Sequence, residues 1–339
     1  MIPRRAAVVG VGSSLGQRVL TNQDLEKMVD TSDQWIRERT GILTRYILEQ
    51  GEATSDLATR AALKALEHCG KAPEDLDLIL VATATPDMIF PATSCMVQRN
   101  LGAHGAAAFD ILAGCSGFVY GIATAASFVE ARMYENVLVI GSDALSRITD
   151  YEDRATCVLF GDGAGAAVVS PAQGDEGILA SCLGADGHGA SVLCLPAGGS
   201  LMPASAETVA GRQHFLKMDG KRVFEFAVKV MGKASRLVLE KAGLDIEDVS
   251  LFIPHQANIR IIEAARKRFR VPMERMALNL DRYGNMSTAS IPVALDEAAR
   301  SGRLKVGDVV LMVAFGAGLT WGASVVRWGE IAQGGGQNG

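Results

Sequence analysis

A faint internal repeat constrains the fold of this chain more than any other feature. Residues 61–81 read AALKALEHCGKAPEDLDLILV, and residues 234–254 read ASRLVLEKAGLDIEDVSLFIP. At a constant offset of 173, Gly70 matches Gly243, Glu74–Asp75 match Glu247–Asp248, and Leu76 matches Val249. Each stretch has the pattern of a helix closed by a cap glycine, a short acidic turn and a buried strand. The echo continues through a second helix and a second strand (FDILA at 109–113, ALNLD at 277–281). A loop, a helix (116–132 and 286–300) and an apolar strand (VLVIGS at 137–142, VVLMVAF at 309–315) follow. Both halves close with a Gly-rich turn entering another apolar strand, FGDGAGAAVV at 160–169 and FGAGLTWGASVV at 315–326. A single helix–strand match could be coincidence in any α/β protein; four elements in the same order favour duplication. Alternating strands and helices predict mixed or parallel sheets with helices on both faces. The chain is thereby divided into an N-terminal half (1–175), a C-terminal half (176–329) and a tail (330–339) expected to be disordered. Residues 184–217 lack periodicity and are rich in Gly, Pro, Ala and Ser, which marks a long loop of the kind that carries function.

Composition narrows the function classes. The chain has 339 residues, 48% of them hydrophobic and 21% charged, enough for two units of ~150 residues. A net charge of −5 with both signs interspersed argues against a nucleic-acid coat. No apolar run approaches the ~18 residues of a membrane span, and the opening MIPRRAAVVGVGSSLG turns polar too soon for a signal peptide. The six cysteines form no CxxC pair and no zinc-ligand spacing. The expectation is a soluble, cytoplasmic protein with free thiols, no metal and no cofactor. Gly10, Gly12 and Gly16 imitate a dinucleotide fingerprint, but the spacing is GxGxxxG and the sequel is polar. Gly161, Gly163 and Gly165 read as a turn between strands, without the lysine of a phosphate-binding loop.

Three polar residues stand out against this background. Cys115 lies in AGCSGFVYGIATAASFVEA, just before a helix of small and apolar residues. Free N–H groups and the positive end of the dipole there favour a thiolate, the nucleophile needed to accept an acyl group. The other five cysteines read as structural. His255 follows the apolar strand 249–254, at the place where the first half has Ala82. Asn285 lies in DRYGNMSTAS, in a loop matching that of Cys115, and alone would read as a turn residue. A pseudo-twofold between the halves would bring these loops face to face at strand ends, where ligand sites form. His68, His104, His188 and His214 have no such context.

The motifs TNQDLEKMVDTSDQWIRERTGI, GCSGFVYG, DRATCVLFGDGAGAAVV, PHQANIRII, DRYGNMSTASIP and FGAGLTWG stand in this order along residues 1–329. Together they resemble the β-ketoacyl-acyl-carrier-protein synthase III family, the initiating condensing enzymes of the thiolase-like superfamily. The resemblance implies a five-layered αβαβα fold and a homodimer, with Cys115, His255 and Asn285 as the catalytic set. It implies that an acyl-CoA loads Cys115, and that malonyl-acyl-carrier protein then loses CO₂ and takes over the acyl group. Two neutral donors, His255 and Asn285, would stabilise the enolate, and backbone N–H groups of Cys115 and Ala317 a second oxyanion. Relatives commonly have three glycines where this chain has Gly316-Ala317-Gly318.

The same resemblance implies that Trp35 and Arg154 sandwich the CoA adenine, a stacking that suits a planar guanidinium. Thr31, Arg39, Gly220, Phe224, Ala257 and Asn258 match further CoA positions. Phe315 and Phe90 match acyl-pocket residues, with Phe90 reaching across the dimer. Gln256, Ala257, Asn258, Ile259, Arg260, Arg266 and Lys267 match the carrier-protein surface, on a basic helix spanning 259–270. The alternatives are a same-fold acyltransferase that forms an ester or amide without releasing CO₂, and a non-catalytic acyl-binding scaffold. The intact Cys/His/Asn set argues against the scaffold.

Overall fold

A computed structural model describes residues 4–331. The first half opens with β1 (Ala6–Leu15), then β2 (Arg18–Thr21), α1 (Asn22–Glu26), α2 (Asp33–Thr40) and β3 (Thr44–Ile47). It continues through α3 (Thr54–Cys69), β4 (Leu78–Ala82), α4 (Thr93–Leu101) and β5 (Ala107–Ile111). It ends with α5 (Gly117–Glu130), β6 (Val137–Asp143) and β7 (Gly163–Pro171). The second half carries β8 (Gly177–Ala185), β9 (Leu193–Cys194), α6 (Ala206–Ala210), β10 (Lys217–Met218) and α7 (Gly220–Ala242). After these come β11 (Leu251–Pro254), α8 (Ile259–Phe269), α9 (Leu280–Tyr283), α10 (Ser290–Arg300), β12 (Val309–Gly316) and β13 (Thr320–Arg327).

Two mixed sheets result. The first has the order β1-β7-β6-β4-β5, with β4 parallel to β5 and β6 and β7 antiparallel to its neighbours. The second has the order β11-β12-β13-β8, with only the β11–β12 pair parallel. Helices α3 and α4 cover the outer face of the first sheet, and α7 backed by α8 covers that of the second. Helices α5 and α10 fill the space between the sheets, giving five αβαβα layers. One apolar cluster runs through this middle layer, from Leu80 and Val139 across Phe118, Ile122 and Ile291 to Ile253 and Met312. Each such side chain contributes about 1.5–3 kcal/mol on burial. The halves therefore share a core, and α10 of the second half packs on β1 and β7 of the first.

The repeat is visible in the structure at residue resolution. Gly70 and Gly243 cap α3 and α7 in the left-handed conformation, at φ 65° and 67°. The acidic turns are 3₁₀ turns at Pro73–Asp75 and Ile246–Asp248, and β4 and β11 begin 173 residues apart. Helices α5 and α10, which begin at Gly117 and Ser290, keep the same offset. The pattern breaks at 277–281, which is not the expected strand: only Met276 bridges to Phe252. The buried side chain of Gln256 takes the backbone groups a neighbouring strand would pair. It donates to the carbonyls of Pro254 (2.8 Å) and Ala277 (3.1 Å) and accepts from the Asn279 N–H (3.3 Å). The chain then turns into α9.

The glycines that imitate a dinucleotide fingerprint have a packing role. A side chain on Gly10 would meet the Ala65 carbonyl at 2.5 Å, and one on Gly12 would overlap the Ala65 amide, so both admit α3 onto β1. Segment 184–217 is less irregular than its composition suggests, holding α6 and the antiparallel β9–β10 pair. Of the tail expected to be disordered, 332–339 lies outside the described residues, and 330–331 has no regular structure. Among the described residues no helix is long and apolar enough to cross a membrane.

Candidate active site

Cys115 lies in a 3₁₀ turn, Gly114–Ser116, between β5 and α5. The turn fits against the end of β12 because two glycines face each other. Gly114, at φ 51°, would place a Cβ 2.7 Å from the Ala317 amide, and a Cβ on Gly316 would collide with the Cys115 amide. A hydroxyl pair locks this contact. Thr320 Oγ1 bonds to the carbonyls of Ala113 (2.7 Å) and Ala317 (3.0 Å), and Ser116 Oγ donates to Thr320 Oγ1 at 2.7 Å. The amides of Cys115 and Ala317 are thereby held on adjoining backbone.

Asn285 is positioned from both sides. Its N–H donates to the Leu159 carbonyl (2.9 Å), and its own carbonyl accepts from the Gly161 N–H (3.0 Å). Its side-chain oxygen accepts from the Ser287 N–H at 2.8 Å, which leaves the amide NH₂ to face the cavity. His255 follows β11, with its N–H donating to the Val313 carbonyl (2.8 Å). Its ring stands edge-on to Phe315, with centroids 5.3 Å apart. The ring is 1% exposed, and Nδ1 is sealed without a hydrogen-bond partner among the described residues.

Cys115, His255 and Asn285 line one cavity of about 290 Å³ together with Ser287, Phe315 and Ala317. Residues separated by up to 202 positions thus converge where the halves meet. The correspondence of Cys115 and Asn285 holds for their loops, not their positions. The offset that relates α5 to α10 places Cys115 opposite Thr288, whose hydroxyl accepts from the Phe118 N–H at 2.8 Å.

The electrostatics correct one expectation. The start of α5 does not make Cys115 a resting thiolate; burial pushes its thiol up to about 12. The Ser287 hydroxyl, donating to Sγ at 3.3 Å, pulls the other way, and the buried Asp143 carboxyl nearby raises the thiol further. The N–H groups that would face an anion are spent: Gly117 donates to the Gly114 carbonyl and Phe118 to Thr288. Burial alone lowers His255 to about 3, so its imidazole is neutral at physiological pH. Asp143 is held by Thr83, Thr85 and the Ala84 N–H at 3.1, 2.9 and 2.7 Å, and burial raises its carboxyl.

Of the expected CoA contacts, Trp35, Arg39, Gly220, Phe224, Ala257 and Asn258 line the more exposed part of the same cavity. The Arg154 guanidinium lies over the Trp35 ring, 5.0 Å from its centroid, and pairs with Asp30 at 3.4 Å. Thr31 does not line the cavity; its hydroxyl is buried and has no partner among the described residues. Phe90 does not line it either, and is 83% exposed.

The carrier-protein set divides. Arg260 and Lys267 are exposed on α8, whereas Arg266 is engaged by Glu263 at 2.9 Å. Ile259 packs beneath Gly41, and Asn258 caps α8 while donating to the Arg39 carbonyl at 3.1 Å. Gln256 is fully buried, so its side chain offers no surface to a partner. Sequence reasoning missed Ser287, Thr288, Asp143 and Thr320. Their only signal is adjacency to the motifs, because polar residues in loops look alike until their partners are known.

Comparison with known proteins accords with this geometry. The 3-oxoacyl-[acyl-carrier-protein] synthase III family matches residues 109–187, and its C-terminal counterpart matches residues 239–328. A β-ketoacyl-[acyl-carrier-protein] synthase III from Caldanaerobacter subterraneus is 60% identical over 325 residues, covering 96% of this chain and 98% of the relative. One from Desulfitobacterium hafniense is 57% identical, covering 95% of this chain and 98% of the relative. The crystal structure of 3-oxoacyl-[acyl-carrier-protein] synthase III from Aquifex aeolicus superposes with a TM-score of 0.88 at 47% identity, covering 95% of this chain and all of that one. With its layered fold, its shared cavity and relatives this similar over nearly the whole chain, the protein belongs to the 3-oxoacyl-[acyl-carrier-protein] synthase III family.

Proposed function

We propose that the chain condenses an acyl-CoA primer with malonyl-acyl-carrier protein, releasing CO₂ and initiating fatty-acid synthesis in the cytoplasm. The observation that carries this reading is the convergence of one sulfur and two neutral donors on a single cavity. In the first stage the Cys115 sulfur attacks the acyl-CoA carbonyl, the C–S bond to CoA breaks, and the CoA thiol leaves with a proton. The oxyanion formed on the way meets the amides of Cys115 and Ala317. The thiol consumed is balanced by the thiol released, so no cofactor is needed.

In the second stage malonyl-acyl-carrier protein loses CO₂, and the resulting enolate carries its charge on the thioester oxygen. A neutral His255 donating from Nε2 and the Asn285 NH₂ stabilise that oxygen without the repulsion a base would bring. The enolate carbon attacks the acyl carbonyl, a C–C bond forms, and the Cys115 sulfur departs and regains a proton.

Trp35, Arg154 and Arg39 hold CoA at the exposed end, with the guanidinium stacking on the adenine. Arg260 and Lys267 on α8 offer positive charge to the acidic carrier protein. Ile89, Phe90 and Leu112 are 79%, 83% and 78% exposed, and β5 is a sheet edge; both features suit a homodimer in which Phe90 lines the partner's acyl pocket.

Incubation with acetyl-CoA and carboxyl-labelled malonyl-carrier protein tests the reading. Labelled CO₂ with a β-ketoacyl product is expected, and Cys115→Ala should lose the acyl mass adduct while still decarboxylating malonyl-carrier protein. An acyl-Cys115 adduct with no CO₂ released would instead indicate transfer to an alcohol or amine. No adduct on the wild type would indicate an acyl-binding scaffold.

A further inference from the structure

Ser287 touches the reacting sulfur, yet the two stages above give it no role. Its hydroxyl lies 3.3 Å from Cys115 Sγ, with the buried Asp143 carboxyl the competing acceptor for its proton, and its own N–H fixes the Asn285 side chain at 2.8 Å. It adopts φ 49°, a left-handed conformation uncommon for any residue but glycine, asparagine or aspartate. The turn is locked on its far side. The Thr288 N–H reaches the buried Asp143 carboxylate at 3.4 Å, and the Thr288 hydroxyl accepts from the Phe118 N–H. A turn that needed only its shape would be served without strain by glycine, so the serine hydroxyl is held against the sulfur at some conformational cost.

We propose that the Ser287 hydroxyl is a further catalytic group, donating a hydrogen bond that stabilises the Cys115 thiolate each time the sulfur loses its proton or leaves the acyl group. The inference rests on the proposed function and sharpens it. The hydroxyl acts when the thiolate attacks the acyl-CoA and again when the thiolate departs after condensation, and is idle during decarboxylation. Its pull on the Cys115 thiol opposes the upward push of burial, so the group works where thiolate is scarcest.

The test is Ser287→Gly, which removes the hydroxyl, relaxes the left-handed backbone and keeps the N–H that orients Asn285. A charge-assisted hydrogen bond of this kind changes the thiolate population about tenfold. Because a more basic thiolate is also more nucleophilic, alkylation at fixed pH should slow by about threefold. Iodoacetamide alkylation, followed at the Cys115 peptide by mass spectrometry between neutral and mildly alkaline pH, should show that slowing at each pH. Decarboxylation of malonyl-carrier protein, which does not use the sulfur, should fall by less than alkylation does.

Alkylation as fast as wild type would overturn the inference. So would a parallel fall in alkylation and decarboxylation, which marks a merely structural role. Ser287→Ala, which loses the same hydroxyl but keeps a Cβ, should match Ser287→Gly in both assays, and disagreement between them would also overturn it. Alkylation needs no acyl substrate, so wild type failing to acylate would refute the proposed function while leaving this test intact.

Discussion

His255 should make the protein acid-sensitive by an amount that can be worked out in advance. In the fold burial lowers the imidazole to about 3, whereas in an unfolded chain it titrates near ~6.5. Between those values the unfolded chain binds more protons, so stability rises with pH and is lost as pH falls through the unfolded value. Linkage gives a loss of about 2 kcal/mol between pH 7 and pH 5 from this one residue. The figure is set almost wholly by the unfolded value, because any folded value at or below ~4 keeps the ring neutral at pH 5. His255→Gln keeps an amide donor and has nothing to titrate there. Urea unfolding at pH 7 and pH 5, at one fixed protein concentration and read by Trp35, Trp321 and Trp328 fluorescence, should show the wild type losing about 2 kcal/mol more than the variant. Equal losses would mean that His255 takes up a proton in the fold near its ordinary value. The imidazole could not then be a permanently neutral donor, and the reasoning from its sealed Nδ1 would fail.

Other consequences of the geometry can be checked directly. Asn285→Ala should leave formation of acyl-Cys115 intact and slow decarboxylation of malonyl-carrier protein by about 10²–10³, the usual cost of losing one oxyanion donor. Failure of acylation instead would reverse the assigned roles. Arg154→Ala removes the cation over Trp35 and should raise KM for acyl-CoA about 2- to 30-fold with kcat unchanged; steady-state kinetics with an unchanged KM would refute the stacking. Gly316→Ala drives a methyl group into the Cys115 amide, so acylation measured by intact mass should collapse and Tm should fall. A variant that acylates like wild type would show that the two turns are not in register.

The sequence made the layering legible because the duplication is carried by backbone signals. Glycines at 70 and 243, acidic turns and apolar strands each have one physical meaning wherever they occur. It failed at 277–281, where the echo of 109–113 suggested a strand. The determinant there is a single distant side chain, since Gln256 captures the amide and carbonyl that strand pairing needs. The same limit explains Cys115. Helix position is local and can be read, but the burial that raises the thiol depends on walls contributed by both halves. Gln256 shows the converse error: a residue placed on a docking surface by motif order alone lies fully buried.

The duplication also explains how the site is held without a dedicated scaffold. The offset of 173 makes Thr288 the counterpart of Cys115 and α10 the counterpart of α5. The two turns meet face to face, and the Thr288 hydroxyl accepts from the second residue of the nucleophile's helix. Asp143, at the end of β6 in the first half, accepts in return from the Thr288 backbone of the second. Each half therefore supplies the polar partners that the other's turn lacks. Cys115, its hydroxyl neighbour Ser287 and Asn285 are fixed by hydrogen bonds that cross between the halves beside their shared apolar core. Opening the middle layer would therefore disarm the site before it unfolded either sheet.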